Sequence, residues 1–164
     1  MIPLDGSPRS ECAIPVASQI ARTGKAKLLL AHVVAKPEIP RRTPLPQEDM
    51  ELVNKLIERN HAEAQRYMKQ LESRLTSSEV DLHTGLAVSD NVASSLHDMV
   101  EKNDVDLVVL SAHGYAGETK WPFGNIVANF TCFGTTPLLV VQDLSLREID
   151  ITQAEDAAKQ YKGH

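Results

Sequence analysis

Three stretches of this chain, "KLLLAHVVA" (27–35), "VDLVVL" (105–110) and "PLLVV" (137–141), are apolar almost without interruption. A strand that is apolar on both of its faces has to be covered on both, which is the situation of a strand inside a parallel sheet. Between these runs, apolar residues recur at helical spacing. One set is Ala13, Ile14, Ala17, Ile20 and Ala21; a second is Val53, Leu56, Ile57, Ala64, Tyr67, Met68, Leu71 and Leu75. A third is Val92, Leu96, Met99 and Val100, and a fourth Ile126, Val127, Phe130 and Phe133. Met1 to Leu4 supplies a short first strand, and "VDLHTGLA" (80–87) alternates as a half-exposed edge strand does. Strands alternating with helices predict an α/β domain with a parallel sheet and right-handed crossovers.

Local signals set the expected boundaries. Ser7 caps a helix that starts at Pro8, where a missing N–H costs nothing. Pro15 kinks that helix, because the Glu11 carbonyl loses its donor, and Gly24 ends it. "KPEIPRRTPLPQ" (36–47), with four prolines, is a loop. The helix at Val92 is capped near Ser89 or Asp90, and Gly134 ends the one after Gly124. From Gln142 the chain is polar. Thr152 and Glu155 have capping-box spacing, so residues 143–164 form either a tail with a short helix or a linker.

With 164 residues, 42% of them apolar, the chain suits one domain with a full core. A net charge of -5 argues against a nucleic-acid partner. Cys12 and Cys132 lie far apart without a CxxC pattern, and His61, His83 and His97 lack metal-ligand spacing, so no metal or redox centre is expected. No apolar run reaches the roughly 18 residues of a membrane span, and no signal peptide is visible. A cytoplasmic setting is the expectation. No nucleophile–base pair and no GxSxG stands out, so the sequence carries no argument for catalysis; slow ATP hydrolysis stays open.

"PLDGS" at the start, "LLAHVV" after the first helix and "DLVVLSAHG…FGN…TPLLVV" near the end together resemble the universal stress protein family over residues 1–142. The resemblance implies a five-stranded sheet of order 3-2-1-4-5 with helices on both faces. It also implies a ligand beyond the carboxyl ends of the first and fourth strands, where strand order reverses. Members that bind ATP carry a glycine, two residues, a second glycine, nine residues, then Gly-Ser or Gly-Thr. On this chain those positions are Ser111, Gly114, Gly124 and Asn125, so the spacing is kept and two residues differ. Asp5 matches the ribose-contacting aspartate and Val33 a residue beside the adenine. Leu110, Ala112, His113 and Ile126 lie on or next to the phosphate loop. The implied ligand is ATP, with magnesium as a possible companion. The implied assembly is a homodimer through Leu138 to Val141, in a stress-response regulator. A nucleotide-free interaction module of the same fold is the alternative.

The loop has a physical logic of its own. A polyphosphate needs backbone N–H groups converging on one place, which a glycine-rich turn and a helix N-terminus supply. Asn125 offers a side-chain amide in place of a hydroxyl. Ser111 is tolerable unless its backbone must adopt positive φ. Asp5 has an alternative reading as an N-cap or turn residue beside Gly6, and His113 one as a loop histidine; His32 reads as a satisfied core or sheet-end histidine. Arg41, Arg42 and the segment Lys120-Trp121-Pro122-Phe123 could reach a ligand or simply line loops.

Overall fold

A computed structural model describes residues 1–37, 46–75, 80–115 and 123–143. Along these residues run β1 (Ile2–Leu4), α1 (Pro8–Glu11), α2 (Ala13–Gly24), β2 (Lys27–Ala35) and α3 (Gln47–Leu75). They are followed by β3 (Asp81–Ser89), α4 (Val92–Lys102), β4 (Val108–Ser111), α5 (Asn125–Phe133) and β5 (Leu138–Val141). Arg41, Arg42, Lys120, Trp121, Pro122, Thr152 and Glu155 lie outside the described residues.

All strand pairs are parallel, as the apolar runs require. The expected order 3-2-1-4-5 is seen in two parts, 3-2-1 and 4-5. The structure has a three-stranded sheet, β1-β2-β3, and a two-stranded sheet, β4-β5. The reason lies where β1 and β4 run side by side. The Met1 α-amino group donates to Leu107 O at 2.7 Å, and Val109 N–H donates to Met1 O at 2.9 Å. In a parallel ladder the N–H and C=O of one residue face the same neighbour, and alternate residues face alternate neighbours. Met1 faces β4, so Pro3 faces it too, and proline has no N–H to give. Pro3 therefore donates no hydrogen bond to β4, and the bonds of Met1 join the two sheets at this seam.

Side chains alternate across these sheets into two cores. Ile2, Leu4, Leu28, Leu30 and Val109 pack with Ala13, Ile14, Ala17 and Ala21 of α2 and Met68 and Leu71 of α3. On the opposite face, Ala31, Val33, Val108 and Leu110 pack with Leu96 and Val100 of α4 and Val127 and Phe130 of α5. Helices therefore cover both faces. Each fully buried side chain of this kind contributes about 1.5–3 kcal/mol. β3 has no buried residue, in line with its predicted edge position.

Several boundaries differ from expectation for identifiable reasons. The first helix is broken rather than kinked: Cys12 separates α1 from α2, and its N–H donates to Arg9 O. That is the position at which Pro15 withholds a hydrogen bond from Glu11. The left-handed residue ending α2 is Lys25 (φ 50°), not Gly24. Asn91, not Ser89 or Asp90, caps α4, its Oδ1 accepting Ser94 N–H at 3.0 Å. β4 begins three residues late because Asp104 (φ 48°) turns the chain and Val105 N–H donates back to Val100 O. Gly134 does end α5, though with φ -80°. Its glycine is needed for closeness: a Cβ there would lie 2.6 Å from Phe130 O.

The buried end of β1 carries a pH consequence. Burial lowers the Met1 α-amino pKa from 8.0 to about 6, against an opposing pull from Asp106. Burial likewise lowers His32, against the raising effects of the Leu4 carbonyl and Asp5. For both groups the unfolded chain binds more protons than the folded one, so stability rises with pH. Unfolding free energy is expected to be about 1–2 kcal/mol higher at pH 8 than at pH 6, measured by urea denaturation. A flat profile across that window would mean that neither group is desolvated.

Candidate functional site

The chain leaves β1 through Asp5-Gly6-Ser7, and Gly6 takes the left-handed turn (φ 84°). Ser7 then caps α1, its Oγ accepting Ser10 N–H at 3.2 Å. This turn points the Asp5 carboxylate across the gap to β4. Oδ1 accepts Ser7 N–H at 2.9 Å, and Oδ2 accepts Tyr115 N–H at 2.6 Å. Desolvation pushes the Asp5 pKa up, but hydrogen bonds from Ser7, Tyr115 and Ser10 outweigh it and leave the pKa below the usual carboxylate value. Asp5 is thus an ionised, exposed carboxylate that joins two loops across the seam, with acceptor capacity left over.

The loop after β4 is tied down on its other side. Ser111 Oγ donates to His113 O at 2.5 Å. Ala112 N–H donates to Val141 O and Ala112 O accepts Gly124 N–H, both at 2.7 Å. His113 is fully buried, and its N–H and ring Nδ1 lie 3.1 and 2.8 Å from Asp143 Oδ1. A carboxylate only accepts, so Nδ1 carries the proton. The second oxygen, Asp143 Oδ2, is 3.7 Å from Arg9 Nε. The interactions of Ser111, Ala112 and His113 point inward; Gly114 is the residue of this loop that faces Asp5. A Cβ on Gly114 would overlap Asp5 Oδ2, so a side chain there would displace the carboxylate; the φ of Gly114 is not positive. Nor is that of Ser111, which answers the strain question at that position. Gly124 caps α5 with no side-chain hydrogen bond, so the partial positive charge of a helix N-terminus lies at this end.

Of the ten residues that the sequence singled out, six are brought into one contact network: Asp5, Ser111, Ala112, His113, Gly114 and Gly124. Asn125 and Ile126 follow Gly124 as the first residues of α5. Leu110 and Val33 sit in the core beneath, sharing the cluster of Val127. Arg9, Tyr115 and Asp143 were not foreseen. His32 is a partial surprise: its Nδ1 is buried with no hydrogen-bond partner among the described residues, and the ring meets Tyr67 edge-on at 6.0 Å. Two cavities among the described residues, about 560 and 410 Å³, are lined in part by Asp104 to Asp106, before β4, and lie away from this network. Among the described residues no group of three His, Cys, Asp or Glu could hold a metal ion, and no helix is long and apolar enough to cross a membrane.

The profile of the universal stress protein family matches residues 1–142. No curated protein sequence matches the chain. Solved structures do. The universal stress protein UspA of Lactobacillus plantarum is 19% identical, with a TM-score of 0.74 over 85% of this chain and 94% of that one. A universal stress protein in complex with cAMP is 19% identical, with a TM-score of 0.62 over 87% and 94%. A family protein of Arabidopsis thaliana with AMP bound is 13% identical, with a TM-score of 0.58 over 90% and 92%. At these identities the likeness is one of fold.

The Asp5–Gly114 contact makes a double-mutant test. Asp5→Ala removes acceptors from two backbone N–H groups and is expected to cost about 1–3 kcal/mol of stability. Gly114→Ala displaces the same carboxylate and is expected to cost a similar amount. In the double variant the two losses overlap, leaving a coupling energy of about 1 kcal/mol. Additive losses in urea denaturation would place the carboxylate elsewhere.

Proposed function

This chain belongs to the universal stress protein family, and we propose that it binds an adenine nucleotide, ATP in the first instance, beyond the carboxyl ends of β1 and β4. The observation that carries this reading is the opposition of two features across the seam. On one side stands the ionised Asp5 carboxylate, suited to ribose hydroxyls. On the other, Gly114 and the glycine-capped α5 N-terminus are suited to phosphate oxygens. In this reading the two sheets act as one 3-2-1-4-5 layer, Val33 lies under the base, and a magnesium ion enters on the triphosphate rather than on a protein site. The capture of cAMP and AMP by proteins of the same fold supports the nucleotide class.

The domain works in this reading as a cytoplasmic homodimeric regulator. Leu138 to Val141 are all half-exposed, and among the described residues β5 pairs only with β4. An apolar edge with unpaired backbone groups invites a second strand. Phe133, 75% exposed, stands on the element leading into it. A second reading, a nucleotide-free interaction module, draws on one specific observation: the interactions of Ser111, Ala112 and His113 are all internal, and Asp5 already holds Tyr115 N–H.

Denaturing the purified protein and identifying released nucleotide separates the two. In calorimetric titration the parent is expected to bind ATP and Asp5→Ala to bind it about 1.5–3 kcal/mol more weakly. Gly124→Val is expected to abolish binding while the circular dichroism spectrum persists. Parent protein that neither carries nor binds nucleotide moves the reading to the interaction module. Sedimentation equilibrium at micromolar concentration is expected to give a dimer; a monomer removes β5 as the interface.

A further inference from the structure

We infer that the cavity at the amino end of β1 is a site for a free aliphatic amino acid, held by both of its charged groups. It lies at the opposite end of the sheets from the proposed nucleotide loops and is independent of that reading. Ile2 registers with Leu30, whereas β2 begins three positions earlier, at Lys27. On its other side β1 is joined to the segment entering β4, where the Met1 α-amino group donates to Leu107 O at 2.7 Å. Beyond Met1, a slot one strand wide therefore stays open between the start of β2 and the approach to β4. The cavity of about 410 Å³ is this slot: Lys27 to Leu29 line one side, Asp104 to Leu107 the other, and Met1 its inner end.

The lining divides by chemistry. Its floor is aliphatic, with Leu28 and Val109 from the strands and Ala17, Ile20 and Ala21 from α2. Of the polar side chains, His83 pairs with Asp81 at 3.1 Å, and Asn103 Nδ2 donates to Met99 O at 2.7 Å. Lys27, Asp104 and Asp106 have no ion pair or side-chain hydrogen bond among the described residues, although Asp106 attracts the Met1 α-amino group. Lys27 stands on the β2 side and both aspartates on the β4 side. Opposite charges thus face each other across one strand position, about 10 Å between the flanking backbones. A free amino acid fills that width, its carboxylate meeting Lys27 and its ammonium the aspartates through charge-assisted bonds. Its main chain amounts to one residue of the strand that the slot lacks. Lying in step with Ile2 and Leu4, it turns its side chain toward α2 as theirs do, onto the aliphatic floor. A simple amine would leave Lys27 unmatched, and a simple carboxylate would meet two aspartates.

The test titrates the full chain with L-leucine, with leucinamide, which lacks the carboxylate, and with 4-methylpentanoate, which lacks the ammonium. The parent is expected to bind leucine about tenfold or more tighter than either analogue. Lys27→Gln is expected to lose the preference for leucine over leucinamide and to keep that over 4-methylpentanoate. Asp104→Asn combined with Asp106→Asn is expected to do the reverse. All three residues are exposed, so the circular dichroism spectra of the variants are expected to match the parent's. A parent that binds none of the three ligands, or binds them equally, overturns the site. So do variants that leave the parent's preferences unchanged.

Discussion

The structure turns on β1, a strand of three residues that has to satisfy a neighbour on each side. Buried backbone groups must be paired, and β1 meets this fully toward β2, where Ile2, Pro3 and Leu4 register with Leu30, Ala31 and His32. Toward β4 it offers the groups of Met1 and then a proline nitrogen. What the backbone does not join, side chains and loops do. Ile2 and Leu4 reach Val109 within one core, while Met1 joins Val108 and Leu110 in the other. Asp5, one residue beyond the strand, spans to Tyr115. The proposed ligand end of the molecule thus also helps to join β1 to β4.

This double duty shapes how the departures from the family's glycine pattern are read. Ser111 is the last residue of β4, in ordinary extended backbone, so a glycine is not needed there for conformation. Its hydroxyl instead fixes the carbonyl of His113. Asn125 opens α5 behind a glycine cap with its side chain exposed. Neither substitution distorts the turn. Two carboxylates flank the seam, Asp5 exposed and Asp143 buried, and Arg9 on α1 approaches the second at 3.7 Å.

Much of this was legible in the sequence because it depends on periodicity. Unbroken apolar runs marked the parallel strands, largely buried in β2 and β4 though half-exposed in β5, and the Leu96–Val100 and Met68–Leu71 spacings gave the faces that cover them. The seam was not legible, although Pro3 was in plain view. Which neighbour its nitrogen faces depends on where Met1 pairs, and no local signal states that. The Asp143–His113 bond joins residues 30 apart with no repeating pattern between them, so Asp143 read as the start of a polar tail. Gly134 was read correctly as a helix end but for a different cause, because proximity to Phe130 O is a tertiary fact. Lys25 took the left-handed turn that a glycine one residue earlier seemed built for.

The seam also divides the domain along the chain. Each sheet is built from one continuous stretch, the first ending at Ser89 and the second beginning at Val108. The two are fastened by the backbone bonds of Met1, by the fit of Leu96 and Val100 against Ala31 and Val33, and by one carboxylate bridge. The side-chain part of such a joint can be tightened or loosened residue by residue.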